Sequence, residues 1–361
     1  MKVLLIADDL DIKAGTGVSR YAAELARGLT GRGVQVDTVL LGRGITVPTA
    51  VEHCLLQPVR VLSCIGRYDV VHATKPVNAL SFPLIKRPKV MTYHDVFAWK
   101  YKNHNAPYYV QKGSRLYLGF HRYCDKVIAQ SSQTKREVVE WLGVPPDKVE
   151  VIGLGVKQFA SGPVDINHPS DSRVVTIGFV GRLVPRKRVG YLIEALAVVR
   201  EIGPQYDFRL KICGDGPDAG GLRELAREKN VSESVDFCGF LDDDALTGFY
   251  RGLSAFIFPS EWEGFGLPIL EAQSFGIPVI TMKDGKIPPE TKEGTIQVGD
   301  IREMAREILR IATDHPYALQ IRNNAFEHAK SFTWESTVEE TIKLYCSLQR
   351  TDNEKILSTI R

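Results

Sequence analysis

The chain has 361 residues, 44% of them hydrophobic and 25% charged, a composition that excludes an intrinsically disordered or membrane-spanning protein. Its length is too great for one ordinary core and fits two domains, which implies a cleft. The net charge is only +3, but residues 1–160 hold 22 Lys and Arg against 13 Asp and Glu, whereas the remainder holds 24 against 30.

A basic N-terminal half suits an anionic partner such as a membrane surface or a phosphorylated acceptor, with an incidental surface bias as the alternative. No apolar run approaches the roughly 18 residues that span a bilayer. The opening MKVLLIADDL meets acids too early for a signal peptide, so cytoplasmic residence is expected. The six cysteines form no CxxC pair and have no His at metal-ligand spacing. They read as reduced and mostly buried.

In chain order, Val3 to Ala7 reads as a buried parallel strand, and Val18 to Leu29 spaces its apolar residues as an amphipathic helix does. Further strands are expected at Gln35 to Leu40, Val70 to Ala73, Val90 to Tyr93 and Val127 to Ala129, with stretches between most of them long enough for crossovers. Residues 1–160 are therefore expected to form a doubly wound α/β domain. The segment 157–172 (KQFASGPVDINHPSDS) has no apolar period and reads as a linker.

The rhythm restarts with strand Val174 to Val180, helix Val189 to Arg200, strand Arg209 to Cys213, helix Leu222 to Lys229, and strands Val235 to Phe237 and Ala255 to Phe258. A second parallel sheet over 173–335 is the simplest account. Helices are expected at Ile301 to Thr313 and Ser336 to Leu348, the second capped by Thr333 or Ser336.

In open α/β sheets the ligand sits at the carboxyl ends of strands, where free backbone N–H groups face an anion. Three loops qualify. In the first, Gly15, Thr16 and Gly17 precede the helix containing Arg20. Glycines let a ligand approach the backbone and the helix N-terminus favours negative charge, with a plain turn as the alternative. A GxGxxG dinucleotide pattern is not met, because its sixth position is Arg20.

The second loop follows strand Val174 to Val180 and carries Arg182 and Lys187, two cations suited to gripping a diphosphate as its charge grows. Arg186 and Arg188 are expected to face solvent. The third, EWEGFGLPILEA, places Glu263 in a loop and Glu271 in the following helix, and Pro268 fits a first helical turn. Gly264 and Gly266 free the loop backbone to donate to a sugar or phosphate. Asp242, Asp243 and Asp244 suit the cap of the next helix, and no metal is expected there.

Taken together, GTGVSR near the N-terminus, YHD at 93–95, FVGRLVPRK at 179–187, GDGP at 214–217, FCGF at 237–240 and PSEWEGFGLPILEA at 259–272 resemble glycosyltransferase family 4. That resemblance implies a retaining GT-B enzyme of two Rossmann-like domains facing across a cleft. The N-terminal domain would take the acceptor, the domain over 173–335 the nucleotide sugar, and residues 336–361 would cross back to the first domain.

By position it further implies that Arg182 and Lys187 bind the diphosphate. Glu263 and the amides of Gly264, Phe265, Gly266 and Leu267 would hold the sugar, Glu271 the ribose, and Phe240 would lie beside the base. His94 would orient a sugar hydroxyl or support the leaving phosphate, and Asp95 would touch the acceptor. Two departures bear on the donor: Arg188 stands where glycine is common, and KDGKIPPE occupies a later donor loop.

The N-terminal motifs look like the mannosyltransferase branch, so GDP-mannose is the first donor considered. A UDP-sugar, with glucosyl, galactosyl or N-acetylglucosaminyl transfer, comes next. A sugar-nucleotide epimerase would need an acid and base pair in place of an acceptor site, a non-catalytic binding module is disfavoured by the presence of Arg182, Lys187 and both glutamates, and nucleic-acid binding by the basic half is a further alternative. Residues 97–123 combine Lys100, Lys102, Lys112, Arg115 and Arg122 with many aromatics and no acid. That mixture suits an anionic membrane or a lipid-linked acceptor.

Overall fold

Short apolar runs separated by helix-forming stretches pair in parallel, each return path lying over a face of the sheet. The computed structural model describes residues 1–10, 17–40, 52–96, 117–157 and 173–360. The chain divides into two compact units, Met1–Gly155 with Trp334–Arg361, and Val156–Thr333. Gly15, Thr16, residues 97–116 and linker residues 158–172 lie outside the described residues.

The first unit contains β1 (Lys2–Ala7), β2 (Gln35–Leu40), β3 (Val70–Ala73), β4 (Lys89–Tyr93), β5 (Lys126–Ala129) and β6 (Val149–Val151). They form one parallel sheet in the order β2-β1-β3-β4-β5-β6. Its helices are α1 (Gly17–Gly31), α2 (Gln57–Cys64) and α3 (Ser132–Leu142). Local chemistry sets their ends: Ser131 caps α3 by accepting from the Thr134 N–H, and Gly143 stops it in the left-handed conformation.

The second unit contains β7 (Val174–Val180), β8 (Asp207–Cys213), β9 (Val235–Gly239), β10 (Ala255–Phe258), β11 (Val279–Met282) and β12 (Ile296–Val298), in the order β12-β11-β10-β7-β8-β9. The helices are α4 (Gly190–Ile202), α5 (Ala219–Glu228), α6 (Asp243–Arg251), α7 (Leu267–Ser274), α8 (Pro289–Lys292), α9 (Ile301–Thr313) and α10 (His315–Ala329). Asp242 caps α6 through the Ala245 N–H. The central strands β10 and β11 are buried on both faces, the edge strand β9 is not, and the apolar residues of the unit, with Phe179, Phe208, Phe256 and Phe258 among the largest, make one continuous core.

The final helix, α11 (Trp334–Ile360), begins earlier and runs further than the expected Ser336 to Leu348. It belongs to the first unit and packs on α1 where Gly28 meets Val338. A fully buried chain of hydrogen bonds also ties it to the sheet. Tyr345 Oη lies 2.6 Å from His72 Nδ1, His72 Nε2 lies 2.8 Å from Thr92 Oγ1, and Thr92 Oγ1 lies 3.0 Å from Tyr21 Oη. The cysteines correct the sequence expectation: all are free, but only Cys124 and Cys213 are buried, while Cys54, Cys238 and Cys346 are exposed.

Two outcomes follow. A Cβ at Gly28 would stand 2.4 Å from Val338 Cγ2, so Gly28→Leu should lose about 1–3 kcal/mol by overpacking, more than the roughly 0.5–1 kcal/mol that a mid-helix glycine forfeits. An unchanged urea midpoint would show that α11 does not press on α1. Burial pushes the His72 pKa down to about 3, while the unfolded chain protonates this group near 6.5. Its contribution to stability is thus intact above about pH 6.5 and declines toward about pH 3, by about 1.4 kcal/mol per pH unit at the steepest. His72→Gln should flatten the pH dependence of the unfolding free energy by about one proton.

Candidate functional site

In the second unit the chain builds outward from β7 to β8 and β9, then returns to lay β10, β11 and β12 on the other side. The direction reverses between β7 and β10, and loops leaving those two strands diverge to open a crevice at their carboxyl ends. Both C-terminal loops singled out from the sequence start there.

Close backbone packing shapes the first of them. Gly181 donates to the Cys213 carbonyl at 3.0 Å, Leu183 to the Asp215 carbonyl at 2.9 Å, and Asp218 to the Leu183 carbonyl at 3.2 Å. A Cβ at Gly214 would stand 2.0 Å from the Gly181 carbonyl oxygen, and one at Gly216 would stand 2.1 Å from that of Leu183. The glycines of GDGP are therefore required for the two loops to lie against each other. Arg182 stands exposed at the head of this lattice, whereas Lys187, at the end of a 3₁₀ turn, is buried.

From the β10 end, Glu261 donates its N–H to the Arg186 carbonyl at 2.8 Å and Glu263 donates to the Lys286 carbonyl at 2.9 Å. These bonds swing the Glu263 side chain onto the other loop, where its Oε1 accepts from Lys187 Nζ at 2.6 Å. Lys187 Nζ also lies 4.5 Å from the centre of the Phe258 ring. Burial lowers the Lys187 pKa most, the Glu263 charge opposes this, and the Arg186 charge adds to it.

Beyond Glu263, Gly264 and Phe265 lead to Gly266, which takes φ 96° and starts α7. First-turn N–H groups of a helix lie outside its hydrogen-bond ladder and point toward any anion at that end. The turn bearing Leu267 and Pro268 is that first turn. Phe265 is buried with its ring edge-on to Phe332. Glu271 sits in α7, also buried, and its Oε2 accepts from Tyr250 Oη at 3.0 Å. Phe240 follows β9 and is 63% exposed.

In the first unit the strand order reverses between β1 and β3. His94 follows β4, the neighbour of β3, and its Nε2 lies 2.8 Å from the Thr74 carbonyl oxygen. A carbonyl only accepts, so Nε2 carries the proton and Nδ1 keeps its lone pair in the neutral ring. Burial lowers the His94 pKa, against the pull of its bonds to Thr74 and Gln130 and the nearby Asp95 charge. Its ring meets the Tyr21 ring edge-to-face, with centroids 5.2 Å apart. Gly17 is the first residue of α1.

Arg186 and Arg188 do not face solvent as expected. Arg186 Nη1 donates to the Trp262 carbonyl at 2.9 Å and to Glu263 Oε1 at 3.2 Å. Arg188 adopts φ 50°, the left-handed conformation that explains why glycine suits this position, and its guanidinium reaches Asp284 Oδ1 and Oδ2 at 3.0 and 2.9 Å. Tyr250 escapes the sequence reading because its helical pattern names no partner for the phenol, and Glu271, which the hydroxyl meets, lies 21 residues further on. Among the described residues no group of His, Cys, Asp or Glu is arranged to hold a metal ion, and no helix is long and apolar enough to cross a membrane.

Comparison with known proteins agrees with this layout. The model for Glycosyltransferase Family 4 matches residues 15–157, and that for Glycosyl transferases group 1 matches residues 165–328. A D-inositol 3-phosphate glycosyltransferase of Kribbella flavida is 27% identical over 91% of this chain and 90% of its own. Sucrose-phosphate synthase from Thermosynechococcus elongatus superposes with a TM-score of 0.77 at 20% identity, over 97% of this chain and all of that one. Anabaena HepE, solved with UDP-glucose, superposes at 0.72 and 19% identity over 96% of this chain and all of its own. These likenesses establish two Rossmann-like domains of the GT-B type. The chain is a glycosyltransferase, with a family 4 domain in its N-terminal half and a group 1 domain in its C-terminal half.

Proposed function

We propose that this glycosyltransferase moves a hexose, with retention at the anomeric carbon, from a nucleoside diphosphate sugar to a hydroxyl of a glycan or a phosphorylated or lipid-linked acceptor. The observation that carries this reading is the buried Lys187–Glu263 pair at the strand-order reversal, beside exposed Arg182 and the N-terminal end of α7. Arg182 and Lys187 hold the diphosphate and neutralise the charge that builds as the glycosidic bond breaks. Glu263 and the amides of Gly264 to Leu267 hold the hexose, Glu271 takes the ribose, and Phe240 lies against the base.

On the N-terminal side, Gly15 and Gly17 bring backbone close to the donor and His94 acts on the sugar. With Nε2–H committed to Thr74 and its pKa held down, His94 is an acceptor: it orients a sugar hydroxyl instead of supplying a cation to the phosphate. The acceptor attacks from the face the diphosphate leaves, and the departing phosphate oxygen takes its proton.

The base of the donor has two candidates. Likeness of GTGVSRY and YHD to the mannosyltransferase branch favours GDP-mannose, and the solved relative holding UDP-glucose favours a uridine donor. The N-terminal domain takes the acceptor, and its excess of basic residues together with the relative that acts on D-inositol 3-phosphate favours a phosphorylated one. A peripheral contact of 97–123 with anionic membrane belongs to the same reading.

Incubation with GDP-mannose, UDP-glucose, UDP-galactose and UDP-N-acetylglucosamine should give nucleotide release with one of them, and silence with all four would sink the donor assignment. With that donor, Lys187→Ala should lower kcat/KM by about 100-fold or more. Tyr250→Phe removes the hydroxyl that orients Glu271 and should raise KM for the donor by roughly 3–10-fold with little change in kcat. Because the working His94 is neutral and its pKa is lowered, the loss of rate on acidification should begin below about pH 6.5, the ordinary histidine value. A loss centred above that value in a His94-dependent profile would refute the acceptor role.

A further inference from the structure

Glu263 is nearly buried, and a carboxylate there needs a cation beside it, because stripping a buried charge of its partner is among the costliest changes a site undergoes. Its Oε1 accepts from two cations at once, Lys187 Nζ at 2.6 Å and Arg186 Nη1 at 3.2 Å. The two are not equivalent. The Lys187 side chain is 8% exposed, whereas Arg186 is 31% exposed and is anchored independently on the Trp262 carbonyl. If Lys187 turns toward a diphosphate, Glu263 loses its shortest contact.

We propose that Arg186 takes over the Glu263 carboxylate when Lys187 turns to the donor diphosphate, so that nucleotide binding exchanges one buried ion pair for another. The inference rests on the reading of Lys187 as a diphosphate ligand. Three features of the site favour the exchange. The Glu261 N–H holds the Arg186 carbonyl and the Glu263 N–H holds the Lys286 carbonyl, so the backbone on both sides stays in place while the ammonium moves.

A guanidinium is always charged, weakly hydrated and forked, and it keeps one donor on Trp262 while another serves Glu263. The repulsion between the Arg186 and Lys187 charges is relieved once a diphosphate stands beside the ammonium. Arg186 is therefore a positioning residue of the donor site, acting through Glu263 and not on the nucleotide.

Calorimetric titration of the full chain with UDP and with GDP tests this, since neither carries the hexose that Glu263 would touch. Arg186→Gln keeps an N–H donor for Trp262 but removes the charge, and it should weaken the better nucleotide by about tenfold or more, because Lys187 then stays with Glu263. Adding Glu263→Gln in that background should restore affinity to within about threefold of wild type, because a neutral amide no longer retains the ammonium.

Arg186→Lys retains the charge and should also bind within about threefold, which keeps the test informative if the Gln variant unfolds. Wild-type affinity in Arg186→Gln, or a double variant as weak as Arg186→Gln alone, would overturn the exchange and leave Arg186 a brace for the loop. Binding of neither nucleotide by the wild-type protein would overturn the donor-site reading itself.

Discussion

The reversal of strand order in each sheet is the constraint on which the rest of the molecule depends. A parallel sheet delivers all its strand-to-helix loops at the carboxyl ends, and neighbouring loops normally cross over onto the same side. Only where the order turns back, between β7 and β10 and between β1 and β3, do adjacent loops part. The residues with chemical potential, Arg182, Lys187 and Glu263 in one unit and His94 near the reversal in the other, collect there. The aromatic core beneath them, stacked through Phe179, Phe256 and Phe258, makes that edge rigid enough to hold charges in register.

Burying charge in such a place is expensive, and the second unit meets the cost with short, specific pairs. Glu263 has Lys187 and Arg186, and Glu271 has the Tyr250 hydroxyl, while Arg188 reaches an exposed Asp284. Each pair joins loops or helices distant in sequence, so each also ties the crevice together. On the proposed reading a diphosphate would meet, in Lys187, an ammonium that is already desolvated, which is the condition under which electrostatic stabilisation of a leaving group is largest. The N-terminal unit uses the opposite device: His72 and His94 are held neutral by burial, and their hydrogen bonds set tautomer and orientation instead of charge.

Much of this is legible in the sequence. The strands Val174–Val180 and Ala255–Phe258 and the helix Ile301–Thr313 lie where their apolar patterns put them. Other elements are not: β6, β11 and β12 are three- or four-residue strands, and α10 buries chiefly small residues, Ala318, Ala325 and Ala329, around Phe326. Such elements have little periodic signal, and they exist because neighbouring strands and helices supply the partners. The cysteines depart from expectation for a related reason, since Cys238 lies on the edge strand β9, where its side of the strand is exposed.

By itself the sequence determined the number of sheets, the strand-end loops and the residue types that can meet a nucleotide sugar, because these follow from apolar period, glycine and proline placement, and charge. The tertiary structure alone decided which charges meet. Arg186 and Arg188 differ by two positions and not at all in kind, yet a 3₁₀ turn followed by a left-handed residue sends one to Glu263 and the other to Asp284. Lys187 and Glu263 are 76 residues apart, and no local pattern couples them. Their contact exists because β7 and β10 are neighbours in the sheet, and parallel pairing across a long crossover is a property of the whole fold.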